Sequence, residues 1–81
     1  MNQKVARQDK QRKIGEIELG TDRILVATLV DDEKLDLRLF LKTSRYSGPT
    51  KSGVRFYLFD GIWDQFLELI KKVDKEVKEL K

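Results

Sequence analysis

The sequence predicts an α+β fold of four antiparallel strands and one long C-terminal helix, in the order ββββα. Three observations carry that reading. Residues 34–42 (KLDLRLFLK) alternate strictly between leucines and other side chains, the two-residue period of a half-buried strand. Apolar residues after Asp60 recur instead at three and four, the period of a helix. The chain has only 81 residues, which allows one small core and no second domain.

Taken in order, residues 1–12 have almost no apolar content and no periodicity, and they read as a flexible basic arm, drawn as 1–13 with Lys13 included. The folded domain then covers 14–81. Ile14, Ile17 and Leu19, interleaved with Glu16 and Glu18, make a short edge strand. Gly20-Thr21-Asp22 is turn chemistry. Arg23 to Val30 (RILVATLV) is β-branched and apolar, a strand buried on both faces over part of its length. Asp31-Asp32-Glu33 forms a tight polar turn. In the third strand Leu35, Leu37, Leu39 and Leu41 point one way and Lys34, Asp36, Arg38, Phe40 and Lys42 the other. Residues 43–52 (TSRYSGPTKS) read as a loop, and Gly53 to Phe59 as the fourth strand.

Asp60 is a good N-cap, with Asp64 in the first turn beyond it. Trp63, Phe66, Ile70, Val73, Val77 and Leu80 follow at a 3-4-3-4-3 spacing, which makes a helix–helix seam. Glu68–Lys72, Asp74–Lys78 and the reversed Lys75–Glu79 support the exposed side. A helix of about 20 residues is about 30 Å long. Four strands at about 4.8 Å each are narrower. The first half of the helix is therefore expected to cover one sheet face, and the second half to overhang. The seam on the overhang requires a second chain, most simply in a two-fold homodimer.

Composition removes whole classes of function. Cys and His are both absent, so no disulfide, thiolate metal site or Cys nucleophile is available, and no imidazole base. Asp31, Asp32, Glu33 and Asp36 form the one carboxylate cluster, placed at a turn where acids are common for conformational reasons. No glycine-rich phosphate loop is present. The expectation is a non-enzyme without metal or cofactor. No apolar run approaches the roughly 18 residues of a membrane span, and the N-terminus lacks the apolar core of a secretory signal. The expected location is intracellular: cytoplasm and nucleoid, or the nucleus in a eukaryote.

Charge points to a polyanion. The overall +3 conceals a pattern. Residues 1–13 carry a net +4, 14–41 a net −4 and 42–55 a net +4 with no acid at all. Basic segments interrupting a mixed background suit nucleic acid. The face opposite the leucines shows Lys34, Arg38, Phe40 and Lys42, joined from the fourth strand by Arg55 and Tyr57, while the connecting loop adds Arg45, Tyr46 and Lys51. Cations interleaved with rings suit a single strand, whose phosphates pair with the cations and whose unstacked bases lie on the rings. A plainer alternative is a solvated face in which Phe40 and Tyr57 form a stabilising cross-strand pair. The basic arm is expected to add non-specific affinity without adding stability.

Residues 14–80 also resemble the C-terminal domain family of the transcriptional coactivator positive cofactor four, in the style of its small bacterial members. The resemblance lies in Leu19-Gly20 followed by Arg23 and a strand, in Asp36-Leu37-Arg38-Leu39-Phe40, and in Pro49-Thr50-Lys51-Ser52-Gly53-Val54-Arg55-Phe56 followed by Trp63 and Leu67. It implies a homodimer that binds single-stranded or melted DNA without strong sequence preference, in transcription regulation, replication or repair. Arg38 and Lys51 match the family's DNA-contacting basic positions, and Thr28 falls where the family often has a basic residue on the DNA side. The lysine before the family's glycine is Ser52 here, and its base-stacking aromatics stand as Val30 and Leu41. Single-stranded DNA is thus the expected partner, with RNA as an alternative ligand and the transcription machinery as a further partner. The competing reading is a dimeric adaptor that docks another protein.

Overall fold

A computed structural model describes residues 10–81. Strands β1 (Gln11–Glu18), β2 (Arg23–Val30), β3 (Lys34–Lys42) and β4 (Ser47–Tyr57) form one antiparallel sheet in the order β1-β2-β3-β4, followed by helix α1 (Ile62–Glu79). Each strand pairs only with its neighbours in sequence.

β1 starts at Gln11, three residues before the expected Ile14, because the basic residues there pair with β2: Gln11 lies opposite Val30, Arg12 opposite Leu29 and Lys13 opposite Thr28. The hairpin turn behind them holds this end in place. Asp31 and Asp32 both adopt positive φ (56°), the left-handed geometry of a tight mirror-image turn, which Asp tolerates better than most residues. Asp31 exchanges hydrogen bonds with the Lys10 backbone, at 2.8 Å through its carboxylate and at 2.7 Å through its own amide. Asp32 pairs with Lys10 at 2.9 Å and with Arg12 at 3.1 Å. Residues 10–13 therefore belong to the folded domain, and the rest of the expected arm lies outside the described residues.

The β3–β4 connection is shorter than expected, and β4 begins at Ser47 rather than Gly53. Thr43 closes a four-residue turn by accepting from the Tyr46 amide at 2.9 Å and donating to the Tyr46 carbonyl at 3.0 Å. Pro49 is admitted because β4 is an edge strand, where a missing N–H leaves no neighbour unpaired. Between the Arg38–Gly53 and Phe40–Pro49 pairings, β3 contributes Leu39 alone while β4 contributes Thr50, Lys51 and Ser52. That bulge hides the strand from a period-two reading. Thr50 binds its exposed polar groups, donating its hydroxyl to the Leu39 carbonyl (2.8 Å) and accepting the Ser52 amide (3.0 Å).

The helix departs most from expectation. It approaches no strand except β4, where Phe66 meets Phe56 with ring centroids 5.0 Å apart, and none of its residues is buried. The cause is the link before it. Asp60 (φ 60°) and Gly61 (φ 83°) are both left-handed, and this turns the chain off the sheet. Gly61, not Asp60, is the N-cap, and no side chain caps the helix. Along the exposed side Asp74–Lys78 forms at 2.9 Å, whereas Glu68 pairs with Lys71 rather than Lys72. The leucine side of the sheet is left without a lid from its own chain. The radius of gyration is 16.0 Å, where a compact chain of this length has about 12 Å.

Candidate nucleic-acid interface

The register assigns each side chain to a face. Leu25, Leu29, Leu35, Leu37, Leu39, Leu41, Val54 and Phe56 share the side on which Phe66 lies. The opposite face carries Lys13, Glu16 and Glu18 from β1, Ile24, Val26, Thr28 and Val30 from β2, Lys34, Asp36, Arg38, Phe40 and Lys42 from β3, and Arg55 and Tyr57 from β4. Ile24, Val26 and Val30 are buried in the floor of this second face, Val30 to 1% exposure.

One end of the face is concave. A cleft of about 550 Å³ opens over Ile24, Val26 and Thr28, walled by Phe40, with Lys13 and Lys42 on its rim. The β1 bulge between Lys13 and Gly15 builds that rim. It brings Lys13 and Glu16 onto the same side, where they pair, and Lys13 holds the Glu16 carboxyl below its usual range. Sequence reading placed Lys13 in the arm and missed it, because the extra residue breaks the alternation that marks a strand.

At the middle of the face sits Asp36, 6% exposed and the one buried charged residue among those described. Arg38 binds it through both arms of its fork, Nη2 to Oδ1 at 2.8 Å and Nε to Oδ2 at 3.2 Å, and Arg55 Nε reaches Oδ1 at 3.4 Å. The hydrogen bonds from Arg38 pull the Asp36 carboxyl below its ordinary range, against the upward push of burial. The carboxylate cluster read from the sequence does not assemble: Asp36 lies on its expected face of β3, paired with Arg38 and Arg55, while Asp32 pairs with Lys10 and Arg12 and Glu33 with Lys34. Among the described residues no three acidic side chains converge on a common point.

At the far end Lys34 lies opposite Tyr57, whose ring packs edge-on against Phe59 at 5.5 Å. Phe40 is paired with Ile24 and Pro49. Phe40 and Tyr57 are thus not a cross-strand pair; they stand six residues apart in register, about 20 Å along the sheet. Of the family-type stacking positions, Val30 is buried in the floor and Leu41 falls on the leucine side.

The loop residues divide. Tyr46 folds back, donating its hydroxyl to the Pro49 carbonyl beside Gly48. Its ring is thereby committed to the turn. Arg45 and Lys51 are exposed and, like Lys42, make no ion pair among the described residues. Lys51 stands on the β4 bulge.

Comparison with protein-family models, with characterised proteins and with solved structures finds no match for this chain.

Proposed function

We propose that this protein binds single-stranded nucleic acid, DNA in the first instance, as a non-enzymatic homodimer acting inside the cell in transcription, replication or repair. The supporting observation is the cleft on the polar sheet face, whose lining brings the apolar floor of Ile24 and Val26 and the Phe40 ring together with Lys42, which makes no ion pair among the described residues, and with the Lys13–Glu16 pair. A base needs an apolar or aromatic surface, and its flanking phosphates need cations a few ångströms away. A duplex keeps its base faces stacked inside and cannot use such a floor. Lys34, Arg45, Lys51 and Tyr57 extend the cationic and aromatic surface beyond the cleft, and the resemblance to the coactivator family points the same way.

The dimer part of the proposal rests on what the single chain leaves uncovered. The apolar stripe of α1 is exposed at Ile62, Ile70, Val73, Val77 and Leu80 and half-buried at Trp63 and Phe66, and an apolar cleft of about 720 Å³ opens where α1 leaves β4, bounded by Phe56, Ile62, Phe66 and Leu69. A second copy supplies a matching stripe and a matching leucine face by symmetry.

Fluorescence anisotropy with oligo-dT, the matching RNA and a duplex, across a salt series, tests the reading. Single strands should bind more tightly than duplex. Lys42→Ala and Lys51→Ala should each reduce the salt slope by about 0.7 for every phosphate that the lysine neutralises. Phe40→Ala should weaken binding by about 1–3 kcal/mol with the slope nearly unchanged. If correctly folded protein gives equal affinity for duplex and single strand, or no binding at all, the proposal is wrong; flow-through on single-stranded DNA resin would favour the adaptor.

A further inference from the structure

Asp36 presents a puzzle of its own. A carboxylate on a central strand is costly to bury, and an ion pair in such a place is seldom more stabilising than apolar residues of the same volume. Across the sheet Asp36 lies opposite Thr28 on β2 and Arg55 on β4. What the carboxylate does achieve is to hold Arg38. Two of the five guanidinium N–H donors go to Asp36, and a third, on Nη1, goes to the Thr50 carbonyl at 3.1 Å. The guanidinium is therefore tied at three points to two strands. Beside it, β4 provides Gly53. A Cβ at that position would collide with the Leu37 carbonyl oxygen and stand 3.1 Å from Arg38 Cζ, so a side chain there would crowd both the β3 backbone and the guanidinium. Arg55 is held far less firmly, by a single 3.4 Å contact, with 42% of its side chain exposed against 23% for Arg38.

We propose that Asp36 is a positioning residue, which fixes Arg38 as a flat, charge-compensated platform on which an unstacked base of the bound strand lies, while leaving Arg55 free to swing onto a phosphate. This deepens, and rests on, the single-strand reading above. A guanidinium plane is a good stacking partner for a base. It serves best when its orientation is set in advance, because less freedom is then lost on binding. Since the Asp36 carboxylate already compensates the Arg38 charge, the two arginines have different tasks: Arg38 contributes a surface and Arg55 a mobile cation.

The test exploits a difference of sign. Asp36→Asn keeps the size of the side chain and removes its negative charge, so the face becomes more positive. If Asp36 only moderates charge, the variant will bind every polyanion more tightly. If it positions Arg38, the variant will lose affinity for oligo-dT by about tenfold while eluting from heparin, a polyanion without bases, at the same or higher salt. Arg38→Lys provides the second measurement, and the one to rely on should Asp36→Asn fail to give the wild-type circular dichroism spectrum. It preserves the charge and the partner of Asp36 but not the plane, and should lower oligo-dT affinity about tenfold with an unchanged salt slope. Wild-type affinity for oligo-dT in a folded Asp36→Asn protein, or in Arg38→Lys, would overturn the positioning role while leaving the single-strand proposal in place. A wild-type protein that ignores oligo-dT would remove both.

Discussion

At the residue scale, Asp36 ties stability to pH. Its carboxyl titrates below the ordinary value in the folded chain because Arg38 hydrogen-bonds its ionised form, and Arg55 adds to the effect. In the unfolded chain it returns to about 3.9. A depressed folded value means that the unfolded chain takes up the proton first. The contribution is complete above the unfolded value and is lost as pH falls through the lowered one. Thermal melts should therefore show wild-type stability falling more steeply than that of Asp36→Asn below about pH 4. Parallel acid profiles for the two proteins would show that Arg38 does not stabilise the ionised form. None of this pairing was visible as such in the sequence. Asp36 and Arg38 are two apart, so alternation places them on one face, but the same spacing fits a pair that points apart into solvent. The Arg55 contact depended on the register of β4, and the bulge before Gly53 conceals it from any local pattern.

At the scale of single elements, β1 and α1 stand at opposite limits. β1 is fastened at its start by Asp31 and Asp32, and the charges there that resemble a solvated tail are engaged with the turn. Removing residues 1–13 deletes three strand pairings with those ion pairs, and should lower the melting temperature by on the order of 5 °C or more. An unchanged melting temperature would mean that the pairing at Gln11–Lys13 adds nothing. The charge pattern of residues 1–13 was readable in the sequence, but the position of their partners, twenty residues later in a turn, was not. α1 is the reverse case. Its heptad-like spacing was plain, and the element lies where the period predicts. What the spacing does not encode is direction, which is set by the backbone of Asp60 and Gly61. Val73 is half-exposed midway along the seam. In the proposed dimer, Val73→Asp should shift sedimentation velocity from dimer to monomer, because burying an unpaired carboxylate costs several kcal/mol. A variant that still sediments as wild type would place the subunit contact elsewhere.

For the molecule as a whole, the strand order and the two faces of β3 followed from composition and period alone, since a meander needs only local turns and alternation. The relation of helix to sheet did not follow. The first half of α1 was expected to cover one face of its own sheet, but α1 approaches β4 alone and leaves the leucine side of β2 and β3 open. The same reasoning that demanded a second chain for the distal half of the helix holds for the proximal half as well.

A sheet whose spatial order repeats its order in sequence also constrains how the chain folds. Every strand pairing closes a short loop between neighbours, so the contact order of the sheet is low and its hairpins form on the microsecond-to-millisecond scale. The helix has almost nothing to gain from that event, because its own sheet offers it one phenylalanine. Refolding should therefore separate into a β-sheet phase, followed by far-ultraviolet circular dichroism, whose rate is independent of protein concentration, and a later phase that quickens in proportion to it. Trp63, the one tryptophan of the chain, sits in the first turn of the helix and reports the second phase by its fluorescence. Should that fluorescence change at one rate over a hundredfold range of concentration, docking of α1 would be an event within a single chain.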